Sequence, residues 1–236
     1  MHLEYRIQLP DHDWVVADRH KLIPSVYAGC VIKDGRVTDS GPTSIFIRSG
    51  KHDSSSAATH AADFNALLSL DSFKDVARSN AGAVKPIVII TVDGGPDENP
   101  RHPKTLNAAY KLFTKHSLDA LFIACHAPGH SAYNAVERRM APLSRDLSGL
   151  ILPHDHFGSH LDRRGRTTDA DLEKANFKKA GEILAEVWSQ AVIDGFHVHA
   201  QYIEPLSTST TPSAPTAKWC WKHVQQSQYR HYTQFI

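Results

Sequence analysis

The chain has 236 residues, 41% of them hydrophobic, enough for one sizeable core, and a net charge of +1, which lacks the basic excess of many nucleic-acid binders and so neither supports nor excludes DNA. No stretch approaches the roughly 18 consecutive apolar residues of a membrane span, and Met1 to Tyr5 begins neither a basic nor an apolar leader, which predicts a soluble, intracellular protein with no membrane partner. Cys30, Cys125 and Cys220 lie far apart with no CxxC pair, arguing against a disulfide framework and redox chemistry.

From Leu3 to Ile47 short β-rich runs (Leu3 to Leu9, Ser25 to Lys33, Thr43 to Arg48) alternate with Pro, Gly and Asp, including Asp34-Gly35, and predict antiparallel strands joined by short turns. Thr59 to Phe73 changes to helical spacing, with Ala62, Leu67, Leu68 and Leu70 apolar and Thr59 available as a cap. The continuous apolar run Pro86 to Val92 stops at Asp93-Gly94-Gly95-Pro96 and predicts a central strand covered on both faces, with an acid at its C-terminal end. Lys104 to His116 reads as an amphipathic helix, Asp119 to Ala124 as another buried strand, and Cys125 to His130 as a loop leading to a helix that Ser131 caps and that carries Asn134 and Glu137. Asp169 to Gln190 has a further helical pattern, Ser207 to Ala217 is a Ser/Thr/Pro linker, and Lys218 to Ile236 is rich in aromatics and His, fitting a docking strand or an incomplete module. The expected class is α/β: one mixed sheet flanked by helices, in a domain spanning 1–200, followed by a linker and aromatic tail at 201–236.

Two acids stand where chemistry can use them, Asp93 at a strand end and Glu137 in the first turns of a helix. A two-metal phosphoryl-transfer site needs carboxylates converging from different elements, because two cations about 4 Å apart must be held against attacking and leaving oxygens. Each residue also has a plainer reading: Asp-Gly is a common turn pair, and Glu137 could be an exposed helix position beside Arg138 and Arg139.

Val92-Asp93-Gly94-Gly95-Pro96-Asp97-Glu98-Asn99, followed about forty residues later by His130-Ser131-Ala132-Tyr133-Asn134-Ala135-Val136-Glu137-Arg138-Arg139, resembles the second half of an RNase H-like DDE transposase or integrase domain. The chain as a whole is similar to uncharacterised proteins derived from mobile elements, through His20 to Tyr27, the Asp-Gly-Gly-Pro segment and Glu137 to Ser144. The resemblance implies Mg²⁺ or Mn²⁺ held by Asp93 and Glu137, with Asn134 and His130 in supporting roles and Asn134 positioning the Glu or a nearby phosphate. It implies DNA as partner, contacted by Arg138, Arg139, Arg163 and Arg164, and leaves homo-oligomerisation open.

The family's first catalytic Asp has no counterpart here. Leu3 to Leu9 contains Glu4 but no Asp and resembles the second strand of the fold, with the first upstream of Met1; Asp11, Asp13, Asp18 and Asp34 fall in or beside turns, where Asp is common for backbone reasons. The expectation is therefore a DDE-type nuclease or polynucleotidyl transferase that is weak or inactive unless the missing carboxylate is supplied.

Two rival readings use other residues. His154, His156 and His160 around Asp155, with His126 and His130 elsewhere, have spacings that could bind Zn²⁺ for hydrolysis. Trp219, Trp221, Tyr229 and Tyr232 among basic residues could stack on bases in a non-catalytic nucleic-acid- or protein-binding module retained from a mobile element. The cluster Arg163-Arg164-Gly165-Arg166 fits a phosphate contact, a nuclear targeting signal or a solvated loop. Serine catalysis has little support, since no G-x-S-x-G elbow occurs and Ser131 serves more simply as a cap.

Overall fold

Among the described residues before Gly50, β-branched and aromatic runs form strands, and Asp34-Gly35 forms the turn that its composition predicts. The computed structural model describes residues 14–17, 20–127, 130, 133–205, 224–227 and 232–235, with residues 14–17, 20, 224–227 and 232–235 described by backbone pairing alone. The elements begin with strands β1 (Trp14–Ala17), β2 (His20–Ala28), β3 (Ile32–Lys33), β4 (Arg36–Val37) and β5 (Thr43–Ser49). The strand expected from Ser25 to Lys33 is broken: β2 stops at Ala28, and β3 and β4 form a separate two-stranded hairpin. At its tip Asp34 and Gly35 have φ of 52° and 73°, the left-handed pair that a tight two-residue hairpin turn requires.

Helix α1 (Ala57–Leu67) is followed by a 3-10 turn at Asp71–Phe73 and the short α2 (Lys74–Ala77). Its cap is Ser56 rather than Thr59: the Ser56 hydroxyl accepts from the Thr59 N–H at 3.2 Å, and the Thr59 hydroxyl accepts from the Ser56 N–H at 2.9 Å. Next come β6 (Ile87–Val92), α3 (Pro103–Lys115), β7 (Ala120–Cys125), α4 (Ala135–Asp146) and α5 (Ala170–Ser189). The chain continues through β8 (Val192–Ile193), β9 (Phe196–His197), β10 (His199–Tyr202), β11 (Val224–Ser227) and β12 (Tyr232–Phe235).

The class is mixed α/β, but the described strands do not form one sheet. Two four-stranded sheets run in the orders β1-β2-β5-β10 and β11-β12-β7-β6. In the first, β10 lies parallel to β5, and β2 is antiparallel to both β1 and β5. With β10 occupying that edge of β5, β6 pairs instead with β7, in parallel, and the second sheet is extended by the antiparallel strands β12 and β11. Parts of the segment expected as a tail thus belong to a sheet ladder. The strand expected at Leu3 to Leu9, the acids Asp11, Asp13 and Asp18, the linker 207–217, and Trp219, Trp221 and Tyr229 lie outside the described residues, as does the side chain of Tyr232.

Strand β5 is buried along its whole length, so its two faces feed two cores. Ile45 and Ile47 pack with Leu143, Phe177, Leu184 and Trp188 of α4 and α5, while Phe46 packs with Leu67 and Phe73. The approach of α5 to β10 is close: a Cβ on Gly181 would lie 2.2 Å from the Tyr202 ring, so only glycine fits there. A third core joins Leu112 of α3 to Leu121 and Ile123 of β7, with Val88, Ile90 and Val92 against it.

That leaves β6 different from its expected place. Among the described strands it lies at a sheet edge with one open face, where Ile87 and Ile89 are 58% and 68% exposed. Only alternate residues turn toward α3, and no described element covers the other side. Keeping these two isoleucines in water forfeits roughly 1.5–3 kcal/mol each relative to full burial.

Candidate functional site

Where β6 ends, Asp93 enters a tight loop whose shape depends on the next residue. Gly94 has φ of 87°, and a Cβ there would lie 2.2 Å from the Cys125 Sγ at the end of β7. Both facts require glycine. The loop is then fastened from within: the Glu98 Oε1 accepts from the Gly94 N–H at 3.0 Å and from the Gly95 N–H at 3.4 Å, and the Asn99 amide donates to the Gly94 carbonyl at 3.2 Å.

Asn134 joins this loop to α4. Its amide nitrogen donates to the Asp93 Oδ1 at 2.5 Å, while its Oδ1 accepts from the Val136 N–H at 3.2 Å as the helix N-cap. Asn134 therefore precedes the helix instead of lying on its face, because its side chain is spent on the first turn. Ser131, the expected cap, is outside the described residues. Glu137 follows on the first turn of α4, half-buried, where a negative charge suits the helix N-terminus. The structure thus brings Asp93 and Asn134 into contact and sets Glu137 three residues further along the helix. Among the described residues, no group of three or more His, Cys, Asp or Glu side chains is placed to hold a metal ion.

Glu98 and Asp97 have different electrostatic settings. Burial, reinforced by Asp93 and Asp97, pushes the Glu98 carboxyl up, against the pull of the Gly95 N–H and His60. For Asp97 burial acts in the same direction, but hydrogen bonds from Ser55 and His60 outweigh it and hold the carboxyl below its ordinary range. Burial, with Glu98 and Asp93 nearby, also raises the Cys125 thiol and disfavours a reactive thiolate.

Asp97 is tied to α1 and the first sheet by a chain of polar contacts that sequence inspection did not single out. Ser55 donates to the Asp97 Oδ2 at 2.5 Å, and the His60 Nε2 stands 3.1 Å from that oxygen. The His60 Nδ1 lies 2.7 Å from the Tyr27 hydroxyl, which donates at 2.9 Å to Asp63. Asp63 in turn pairs with Arg48, both almost completely buried. The legible signal was an Arg within a buried strand, which obliges a carboxylate to meet it.

The basic residues separate by burial. Arg139, expected at phosphate, is 1% exposed and points inward: Nε donates to the Asp39 carbonyl at 3.0 Å, NH1 to the Gly41 carbonyl at 2.5 Å and the Thr43 hydroxyl at 2.7 Å, and NH2 to the Gly29 carbonyl at 3.2 Å. It anchors α4 to the loops flanking the β3–β4 hairpin. Arg138 is exposed and pairs with Asp39. Arg163 and Arg164 are exposed in a turn organised by Asp162, whose Oδ1 accepts from the Arg164 N–H at 2.8 Å and the Arg166 N–H at 2.9 Å. His130 is exposed, its ring edge-to-face with Tyr133 at 5.7 Å between centroids.

The three histidines at 154, 156 and 160 do not converge. His154 and His156 are exposed, whereas His160 is buried, with Nδ1 2.9 Å from the Asn176 amide and Nε2 3.8 Å from Glu173. Glu173 also joins Lys51 at 2.6 Å and the His52 Nε2 at 2.9 Å, and the His52 Nδ1 lies 2.8 Å from the Ser49 hydroxyl. This Ser-His-Glu connectivity resembles a catalytic triad, but Ser49 is 0% exposed and its hydroxyl is out of reach of a substrate. Asp34 stays at its hairpin tip as an exposed turn residue.

Comparison with protein-family models, curated proteins and solved structures returned no match.

Proposed function

We propose that β6, α3, β7 and α4 derive from the second half of an RNase H-like DDE recombinase domain, and that the chain is a transposase- or integrase-derived module whose ancestral reaction is metal-assisted phosphodiester cleavage and strand transfer on DNA. The observation that carries this reading is the Asn134 to Asp93 hydrogen bond, which couples a strand-end carboxylate to the start of the helix bearing Glu137. Asp93 and Glu137 offer the hard oxygen ligands that Mg²⁺ or Mn²⁺ takes, and such an ion would stabilise charge on a phosphoryl group. Asn134 would orient Asp93, and the exposed Arg138, Arg163 and Arg164 would meet phosphates. With only these two carboxylates assigned, the chain is expected to be catalytically weak or inactive on its own.

Calorimetry with Mn²⁺ on the wild type and on Asp93→Ala tests the reading. Binding that disappears in the variant supports it and leads to DNA-cleavage assays, whereas no binding, or binding indifferent to Asp93, removes the metal site.

A second reading, a non-catalytic module that binds a protein, is favoured by the open apolar face at Ile87 and Ile89. Under that reading Asp93→Ala leaves function untouched, and a charge at Ile89 abolishes it.

A further inference from the structure

We propose that the β3–β4 hairpin is an arm that enters a groove of duplex DNA beside Asp93 and Glu137, with Lys33 and Arg36 on phosphates and Ile32 and Val37 against the bases and sugars. The inference rests on the nucleic-acid partner proposed above and needs no metal.

The hairpin stands on a fixed root. The Val31 N–H donates to the Ser40 carbonyl at 2.9 Å, and the Val31 carbonyl accepts from the Thr38 N–H at 2.9 Å and the Thr38 hydroxyl at 2.8 Å. Below these bonds the Gly29 N–H donates to the Pro42 carbonyl at 2.8 Å, and Arg139 gathers the Gly29, Asp39 and Gly41 carbonyls. Beyond the root the ribbon stands in the open. All residues from Ile32 to Val37 are exposed, and a Cβ on Gly35 at the tip would meet nothing within 4 Å.

Both of its cross-strand pairs are ill suited to a ribbon that stays in water. Ile32 is opposite Val37, each 70% exposed, and the two make an apolar face that no described element covers. Lys33 is opposite Arg36 on the other face, and like charges placed directly across a ladder destabilise it. Asp34, the acid in the turn, leaves the tip net positive, and among the described residues neither Lys33 nor Arg36 forms an ion pair. Of the other acids at this end, Asp39 is matched by Arg138, and Asp194 acts on the buried Arg139.

A flat protein surface would cover one face of such a ribbon and leave the other unrelieved. A groove takes both, and the major groove of B-DNA, about 12 Å wide, admits a two-stranded ribbon. Its phosphates relieve the repulsion between Lys33 and Arg36, while thymine methyls and sugars receive the apolar pair.

Helix α4 sets the arm beside the candidate site. Its N-cap, Asn134, holds Asp93, and Arg138 and Arg139, next after Glu137, hold the root of the hairpin. A duplex seated on the arm therefore lies next to the two carboxylates.

The test is fluorescence anisotropy of a short labelled duplex titrated with the full chain over about 50 to 200 mM salt. Loss of two phosphate contacts in the double variant Lys33→Gln, Arg36→Gln should reduce the slope of log affinity against log salt by about 1.8. The double variant Ile32→Thr, Val37→Thr keeps β-branched residues in the ribbon and should weaken binding about tenfold with the slope unchanged. An equal charge change at the far end of α3, Lys111→Gln with Lys115→Gln, should alter neither quantity. Every substituted residue is exposed, and far-UV circular dichroism confirms that each variant folds. Hairpin variants that bind as the wild type does, or a control that lowers the slope as much as they do, overturn the arm and leave the nucleic-acid partner in place. A wild type that binds no duplex at the lowest salt overturns both. The assay runs without a metal, so failure of the Mn²⁺ site and failure of the arm are read separately.

Discussion

Arg138 and Arg139 are adjacent in sequence and equal in charge, yet replacing them with alanine should have different consequences. Removing the Arg139 guanidinium orphans the Gly41 carbonyl, the Thr43 hydroxyl and the Gly29 carbonyl, while the Pro42 carbonyl keeps the Gly29 N–H at 2.8 Å. Asp39 is exposed, so its carbonyl can take water instead. With three acceptors stranded at ~1–3 kcal/mol each, partly relieved as water enters the space left by the side chain, the expected loss is about 3–5 kcal/mol. Arg138 and Asp39 are 53% and 49% exposed, so Arg138→Ala should cost under about 1 kcal/mol. Arg139→Lys, which keeps the charge but loses the planar fork, should fall between them. Urea unfolding followed by far-UV circular dichroism measures all three. A loss below about 1 kcal/mol for Arg139→Ala would refute the assignment of this side chain as an internal anchor.

Gly94→Ala should destabilise by more than the roughly 1 kcal/mol of a left-handed residue alone, because its Cβ also meets the Cys125 Sγ; combining it with Cys125→Ala should recover part of the loss, and strict additivity of the two changes would count against the contact. Glu98→Gln keeps an oxygen for the Gly94 N–H. Since the folded-state Glu98 carboxyl is raised from its ordinary 4.5, its ionisation destabilises the fold as pH rises through that window, so the variant should gain on the wild type at neutral pH and lose the advantage below about 4.5. Asp97 has the opposite sign: its stabilising contribution is present above its ordinary 3.8 and is lost as pH falls through the lowered value. A Glu98→Gln advantage that does not vary with pH would contradict the burial argument. Asn134→Ala should cost about 1–2 kcal/mol as a lost N-cap and weaken any Mn²⁺ binding through Asp93, whereas Asn134→Asp should restore the cap but not the metal affinity.

Helical elements were readable from the sequence because their information is local. The expected helix from Asp169 to Gln190 matches α5, capped by Asp169, and the one from Lys104 to His116 matches α3 to within a residue at each end. Strand partners were not readable. Nothing in the composition of Ile87 to Val92 reveals that β10, from beyond α5, occupies the edge of β5, and a continuous apolar run reads the same whether one face or two are covered. At the candidate site, Asp93 stands out as an acid at a strand end and Asn134 through the family resemblance, which implies a role beside Glu137 or a phosphate; its hydrogen bond to Asp93 was not expected. Asp97, Glu98 and His60 were missed because a Gly-Gly-Pro-Asp-Glu segment is an ordinary turn until its partners are known, and His60 is one of sixteen histidines. Arg138 and Arg139 could not be distinguished without knowing which side of α4 meets the first sheet.

Strand β6 sets a limit on concentration. Its outer edge pairs with no described strand, and Ile-Val-Ile-Ile-Thr-Val contains neither a charge nor a proline to discourage a newcomer. A six-residue β-branched segment of this kind is a template for copies of itself, so molecules crowded together should join edge to edge. Light scattering should therefore rise steeply with protein concentration, and Ile89→Lys, a gatekeeper on the open face, should flatten the curve while leaving the fold intact.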